Sequence, residues 1–191
     1  QERFMHKKLF DGVDVTSVNE LFKTHAEIDL TPASTREELA GACRRLGVHF
    51  TEDDGFDDLF NRVFLEKIEP ELGRSNPVLV TGFPPSQAAL SRLNEDGWAD
   101  RFELYWKGLE LANAFHELND PREQRRRFDE FLAERARLGK PPVPVDAEFL
   151  RSLDYGMPPS VGIALGVERL FLALIGELNL AAARAFPIHD S

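Results

Sequence analysis

The chain has 191 residues, a formal net charge of −10 and 42% hydrophobic residues. This acidic balance excludes non-specific binding to nucleic acid, because neutralising phosphates needs clustered Lys and Arg. The single cysteine, Cys43, excludes an intrachain disulfide framework and indicates a reducing compartment, so we expect a cytoplasmic protein. The most apolar run, 161–175, is interrupted by Glu168 and Arg169 and is too short to span a bilayer, so no membrane role is expected.

The first part of the chain has the apolar spacing of three amphipathic helices. The first is predicted over 17–28, the second begins at a capping box of Ser34 with Glu37 and ends at Gly47, and the third covers 51–68. We expect residues 1–73 to be a helical subdomain without chemistry of its own and residues 74–191 to hold the functional site. Cys43 is interpreted as a core residue. The following histidines show no metal-ligand spacing: His6, His25 and His49.

From residue 77 the period changes to that of strands. Residues 77–82 form a wholly apolar run, and 101–106 and 109–118 form a hairpin around the two-residue turn Lys107-Gly108. This turn sets Tyr105 opposite Glu110. Simple alternation then places Glu110 on the face opposite to Asn113, Phe115 and Glu117. If all of them line one pocket, the return strand needs a bulge near residue 112.

The hairpin also brings two carboxylates together. Glu103 is expected diagonal to Glu110 on the same face, within about 7–8 Å between backbones. One interpretation is a pair of solvated glutamates on an outer sheet face, and spacing alone favours it. The other is a divalent cation such as Mg²⁺, which takes few protein carboxylates and completes its shell with water and substrate phosphates.

Two surface helices follow the hairpin. Asp120 caps one that runs to about residue 138 and is mostly charged, and Asp146 caps a short one that ends near Tyr155. A proline-stiffened connector, 140–145, joins them. Neither helix carries a pattern that indicates chemistry.

A strand, a glycine and a helix are predicted over 160–176. Gly162, Ala164 and Gly166 leave one strand face nearly bare, so a flat ring could lie against the backbone. Arg169, in the first turn of the helix, would favour an anion such as a phosphate together with the helix dipole. The alternative is that the glycines permit tight helix packing and that Arg169 pairs with Glu168 or another neighbour.

Together, RFELYWKGLELANAFHELND at 101–120 and SVGIALGVERL at 160–170 resemble the catalytic core of class II aminoacyl-tRNA synthetases of the lysyl branch. The resemblance extends from Pro77 to Pro187. It is closer to the shortened paralogous family that attaches β-lysine to a lysine of elongation factor P. Four features carry this: His116, Ala164, the Met157-Pro158 lead-in and FPPSQAAL at 83–90.

The resemblance implies an α+β fold, with an antiparallel sheet, flanking helices and the N-terminal helical subdomain. It implies a ligase that activates lysine or β-lysine with ATP and Mg²⁺ and then transfers the acyl group to elongation factor P. The implied metal ligands are Glu103 and Glu110. The implied ATP-binding residues are Glu110, Leu111, Gly166 and Arg169, of which Arg169 is also catalytic. The implied substrate-binding residues are Asn113 and Glu117.

The same family has two further motifs, which supply its dimer element and another arginine. No stretch before residue 77 resembles either, so we expect both to lie N-terminal to Gln1. On this expectation the chain is the C-terminal part of an enzyme that is a homodimer at full length, and it is inactive alone. Two alternatives stay open: part of a lysyl-tRNA synthetase that charges tRNA(Lys), and a non-catalytic ligand-binding module.

Overall fold

A computed structural model describes residues 11–177, 179 and 181, which form one five-stranded sheet flanked by helices. His6 and the end of the resemblance, near Pro187, lie outside these residues. The strands are β1 (Asp14–Ser17), β2 (Val78–Phe83), β3 (Ala99–Trp106), β4 (Leu109–His116) and β5 (Val161–Leu165). The α-helices are α1 (Val18–Ala26), α2 (Arg36–Leu46), α3 (Phe56–Val63), α4 (Pro121–Arg137), α5 (Ala147–Tyr155) and α6 (Val167–Ile175).

The strands follow the order β1-β2-β3-β4-β5 across the sheet. β1 runs parallel to β2, and every other neighbouring pair is antiparallel. The expected α+β fold with an antiparallel sheet is confirmed. β1 was not predicted, because four residues reading Asp-Val-Thr-Ser carry no apolar alternation. In the described part of the chain, no helix is long and apolar enough to cross a membrane.

The hairpin of β3 and β4 has the predicted turn and the predicted bulge. Lys107 and Gly108 both have positive φ, 54° and 72°, as a two-residue hairpin turn requires. Tyr105 pairs with Glu110, whereas Leu104 pairs with Ala112. Leu111 is therefore the extra residue on β4. It rotates Glu110 onto the face that carries Asn113, because one inserted residue reverses the alternation of a strand.

The first helix begins as predicted, whereas the next two differ from prediction. α1 has the capping box of Ser17 with Glu20. α2 is capped by Thr35 with Glu38, one residue later than predicted, because the Ser34 hydroxyl instead accepts a hydrogen bond from the Thr31 amide at 2.9 Å.

The third predicted helix, 51–68, is not continuous. Thr51 and Asp54 form a turn in which the Asp54 carboxylate accepts from the Thr51 amide at 2.9 Å. The α-helix therefore begins only at Phe56. After Val63 it widens into a π-helical turn, Phe64–Ile68, and then tightens into a 3₁₀ turn, Glu69–Glu71. The apolar spacing of 3.6 residues does not distinguish these turns from an α-helix.

A Phe-rich core joins the helices to one face of β2 and β3. Phe22 stacks on Phe60 with ring centroids 4.9 Å apart, and Phe60 stacks on Phe64 at 5.8 Å. Phe64 reaches Tyr105 of β3 at 6.1 Å. A smaller cluster on the opposite face packs α6 against the hairpin through Trp106, Leu111 and Ala173.

The tip of the hairpin is held by the residues that follow the 3₁₀ turn. The Lys107 amide donates to the Gly73 carbonyl at 2.8 Å, and the Gly108 amide donates to the Leu72 carbonyl at 2.9 Å. Gly73 has φ +65°, and a Cβ there would lie 2.6 Å from the Trp106 Cα. Only glycine allows so close a backbone approach.

Candidate active site

Most of the predicted site residues lie on one face of the sheet at β3, β4 and β5, beside the part that the Phe-rich core covers. Asn113 pairs with Glu103 on β3 and with Ala164 on β5, so these side chains share a face. Gly162 pairs with Phe115, one step along the same face. Because the bulge adds Glu110 to this face, four polar side chains form a wall above the bare part of β5. They are Glu103, Glu110, Asn113 and Glu117.

Glu103 is the buried centre of this wall, only 9% exposed. One carboxylate oxygen accepts from Arg101 and from Asn113 Nδ2, the latter at 3.2 Å. The other accepts from the Tyr105 hydroxyl at 2.5 Å. The interpretation of Glu103 as a solvated surface residue is therefore wrong. Burial raises its pKa, and Arg101 and the Tyr105 hydroxyl partly offset that rise.

Arg101 was not recognised as part of the site from the sequence. Its Nη1 donates to the Gln87 carbonyl at 2.7 Å, and its guanidinium lies 4.4 Å from the centre of the Phe83 ring. These contacts hold the positive charge beside Glu103. The available signal was the position of Arg101 two residues before Glu103 on an alternating strand, which places both on one face.

Glu110 and Arg169 contact each other directly. Arg169 Nη1 donates to the Glu110 carbonyl oxygen at 3.0 Å and to its carboxylate at 3.2 Å. This favours the interpretation in which Arg169 pairs with a neighbouring acid, and the acid is Glu110. The same contact brings together two of the residues that the resemblance assigns to ATP. Both side chains remain partly exposed, so water competes for the pair.

Gly166 and Leu111 complete this end of the site through their backbones. The Gly166 amide donates to the Leu111 carbonyl at 2.8 Å. A Cβ on Gly166 would lie 3.5 Å from the Arg169 side chain, in ordinary contact with it, and would narrow this corner. The side chain of Leu111 is buried against Trp106 and Ala173 on the opposite face. It is therefore the Leu111 main chain that lies next to Gly166.

A third carboxylate near Glu110 comes from the 3₁₀ turn. Glu69 is half-buried, and burial raises its pKa, with further increases from the negative charges of Glu110 and Glu103 and a decrease from Arg169. Sequence reasoning missed Glu69 because nothing in the spacing of 64–71 connects it to a hairpin more than thirty residues later.

At the other end of the wall, two oxygens are placed to accept hydrogen bonds. Asn113 Oδ1 is buried and has no hydrogen-bond partner among the described residues. The Glu117 carboxylate lies over Gly162, where an added Cβ would be 2.4 Å from Oε1. A buried acceptor without a donor is costly, so this arrangement favours a ligand that carries N–H groups or positive charge.

The described residues contain no group of three or more His, Cys, Asp or Glu side chains that could hold a metal ion by themselves. The donor set nevertheless fits Mg²⁺, which takes one or two carboxylates and completes its shell with water and substrate phosphates. A carboxylate offers about four lone-pair positions, and three of those on Glu103 are filled. Glu110 is the more accessible of the two predicted metal ligands.

Comparison with known proteins identifies one family. The chain matches the family described as "tRNA synthetases class II (D, K and N)" over residues 4–190. The "Elongation factor P–(R)-beta-lysine ligase" of Enterobacter sp. (strain 638) is 41% identical over 182 residues, which are 93% of this chain and 55% of that protein. The proteins of the same name from Hamiltonella defensa and Haemophilus ducreyi are 37% and 39% identical over 180 residues, with the same two shares.

The chain thus spans about half the length of the curated relatives it matches. The resemblance inferred from the hairpin and from the strand–glycine–helix is confirmed. Since the family match covers almost the whole sequence, the chain belongs to the class II tRNA synthetase family of the D, K and N type.

Proposed function

We propose that this chain is part of a ligase that activates lysine or β-lysine with ATP and Mg²⁺ and transfers the acyl group to elongation factor P. The observation that carries the proposal is the pair of acceptors at one end of the wall: the unpartnered Asn113 Oδ1 and the Glu117 carboxylate above Gly162. The names of the relatives support the choice of acceptor protein.

A diamino substrate suits these acceptors. An ammonium group carries three N–H donors and a positive charge, and it satisfies a buried amide oxygen and a carboxylate together. Glu117 supplies the counter-charge, and Asn113 is fixed by its own bond to Glu103. The Ala164 side chain is too small to block the space beside the Glu117 carboxylate, so a ligand can approach the β5 backbone there.

The nucleotide belongs at the opposite end of the wall, next to Gly166. Arg169 stands in the first turn of α6, where the helix dipole and its guanidinium both favour phosphate oxygens. Binding of ATP would require Arg169 to exchange the Glu110 carboxylate for a phosphate. Glu110, with one remaining position on Glu103, would hold Mg²⁺, which when bound neutralises phosphate charge.

Activation joins the substrate carboxylate to the α-phosphorus of ATP and releases pyrophosphate. The residues of this chain supply no nucleophile for that step. They hold the amino acid at Asn113 and Glu117 and the phosphates at Arg169, and such positioning with electrostatic stabilisation accounts for large rate increases. The adenylate then loses AMP when an amine of the acceptor protein attacks its carbonyl carbon.

Charging of tRNA(Lys) is the second candidate, because the matching family is described as tRNA synthetases. We further propose three properties of the whole protein. Residues 1–73 are an inserted helical region before the catalytic part, 74–191. The full-length protein is a homodimer. It acts in the cytoplasm.

The test uses the full-length natural protein and measures pyrophosphate exchange with lysine and with (R)-β-lysine, then transfer to elongation factor P and to tRNA(Lys). We expect exchange with one of the two amino acids and transfer to the protein. Glu117→Gln should raise the KM for the amino acid by about tenfold or more, because it removes a charge-assisted contact. Arg169→Met should weaken ATP binding.

Glu148→Gln is the matched control, since Glu148 is an exposed glutamate on α5 whose one ion pair within the described residues is with Arg151 at 3.4 Å. It should leave both parameters unchanged. Charging of tRNA(Lys) without transfer to elongation factor P would replace the first candidate by the second. Absence of exchange with either amino acid would contradict both.

A further inference from the structure

Lys107, at the tip of the hairpin, makes a side-chain contact with the far end of α6. Its Nζ donates to the Ala173 carbonyl at 2.5 Å and lies 4.7 Å from the centre of the Trp106 ring. The same residue donates its main-chain amide to the Gly73 carbonyl at 2.8 Å. Lys107 therefore connects three parts of the chain: the segment after the 3₁₀ turn, the hairpin and the last turn of α6.

The main chain of Lys107 has a conformation that suits other residue types better. Its φ of 54° lies in the left-handed region, which glycine and asparagine adopt more readily than lysine does. Two-residue hairpin turns of this kind favour Asn or Asp before the glycine. Because the turn itself gains nothing from a lysine, the contribution of Lys107 lies in its side-chain contacts.

The contact with Ala173 caps α6 at its C-terminal end. The Gly176 and Glu177 amides both donate to the Leu172 carbonyl, and among the described residues it is Lys107 that donates to the Ala173 carbonyl. The ammonium group also lies at the negative end of the helix dipole. Since this cap comes from the hairpin and not from α6 itself, it also fixes where the end of the helix lies.

α6 is thus attached to the hairpin at both ends. At its beginning, the Gly166 amide donates to the Leu111 carbonyl at 2.8 Å. At its end, Lys107 holds Ala173. The two attached residues of α6 are seven positions apart, which is about 10 Å along the helix axis. A helix held at one end can tilt about that end, whereas two attachments set its angle to the sheet and the position of Arg169 between them.

We propose that Lys107 is a positioning residue for the nucleotide. By tying the end of α6 to the hairpin tip, it sets the angle at which Arg169 faces the phosphates. The inference rests on the proposed function, which places the nucleotide beside Arg169. Lys107 acts through α6, because its ammonium group is bonded at the end of the helix opposite to Arg169. A misplacement of about 1 Å caused far from the reacting atoms can cost about a hundredfold in rate, so such a tether has a measurable effect.

The test is calorimetry on the full-length natural protein, with ATP and Mg²⁺ in one titration and lysine or (R)-β-lysine in another. Lys107→Met keeps an aliphatic stem over Trp106 and removes the ammonium group. It should weaken ATP binding at least about threefold and change the dissociation constant of the amino acid less than about twofold. Lys107→Arg can still donate to the Ala173 carbonyl and should bind ATP within about twofold of the wild type.

Lys23→Met is the matched control, since Lys23 is a half-exposed lysine on α1 that pairs with Asp29 at 2.9 Å. It should leave both dissociation constants unchanged. Equal losses for ATP and for the amino acid in Lys107→Met would mean that the contact only stabilises the fold. That result, unchanged ATP binding in Lys107→Met, or a Lys107→Arg variant as weak as Lys107→Met, would overturn the proposal. A wild-type protein that binds neither ligand would overturn the proposed function and this inference with it.

A second variant, Lys107→Asn, covers the case in which Lys107→Met does not fold. Asparagine adopts a positive φ readily and favours the turn, but its side chain is too short to reach α6. We expect a folded protein that binds ATP at least about threefold more weakly than the wild type does. ATP binding within about twofold of the wild type would show that the site needs the turn and not its contact with α6, and it would refute the proposal.

Discussion

Replacing Arg101 by Met tests whether the buried ion pair with Glu103 holds the wall together. The Arg101 and Glu103 side chains are only 9% and 12% exposed, so solvent cannot replace the lost partner. Removing one member of a buried pair costs about 3–5 kcal/mol. Tyr105 and Asn113 still donate to Glu103 in the variant, which places the expected loss near the lower bound. A loss of about 3 kcal/mol lowers the folding equilibrium constant by about a hundredfold.

The loss should depend on pH in a defined direction. Burial raises the pKa of Glu103 above its value in the unfolded chain. The folded state therefore binds a proton more readily than the unfolded state. The penalty for burying the ionised carboxylate lowers the free energy of unfolding as the pH rises through the raised pKa. Without Arg101 that penalty is larger. The difference between Arg101→Met and wild type should be greatest at about pH 7 and should shrink as the pH falls below the ordinary carboxyl range.

Urea unfolding monitored by tryptophan fluorescence measures this difference, because Trp106 is buried within the hairpin. The exposed pair of Arg74 with Glu71 provides a control, and Arg74→Met should cost less than about 1 kcal/mol. The double variant Arg101→Met with Glu103→Gln should recover at least about 1 kcal/mol, since it no longer buries an unpaired charge. A single variant within about 1 kcal/mol of wild type, or a double variant with no recovery, would refute the reasoning.

Three further predictions have defined outcomes. Gly73→Ala should destabilise the chain by more than about 3 kcal/mol in urea unfolding. The control Gly139→Ala, at a residue with a similar positive φ but open space around it, should cost only about 1–2 kcal/mol. Equal losses would show that the hairpin backbone can move away from the added Cβ. Gly162→Ala should leave stability unchanged but displace the Glu117 carboxylate, which calorimetry on the full-length protein should register as a roughly tenfold weaker affinity for the amino acid. Asp120→Ala should cost about 1 kcal/mol in urea unfolding, because its carboxylate caps α4, and an unchanged midpoint would mean that α4 does not need this cap.

The parts of the fold that depend on local chemistry could be predicted from the sequence. The turn at Lys107-Gly108 follows from the need for positive φ in a two-residue hairpin. The bulge was predicted by a different route, because only an extra residue could bring Glu110 and Asn113 onto one face. Asp120 and Asp146 cap their helices for the same short-range reasons.

The parts that depend on distant packing could not be predicted. From spacing alone, Glu103 could be a solvated residue or a metal ligand, and the solvated residue was favoured. Its burial is caused by Arg101 and by helices far away in the sequence. Glu69 lies near the site in a 3₁₀ turn that follows a π-helical turn, and no local signal marks either turn. β1 is defined by its parallel partner β2 and not by its own four residues.

The contact between Gly73 and the hairpin tip also limits how the protein can be divided. The short loop at 74–76 is an attractive place to cut the chain, because it joins the helical region to β2. The two hydrogen bonds from the Lys107 and Gly108 amides, and the tilted ring contact of Phe64 with Tyr105, cross that cut. The two halves should therefore be poor separate proteins but good candidates for reconstitution when they are co-expressed. The boundary at residue 73 separates two parts of the sequence that share one hydrophobic core.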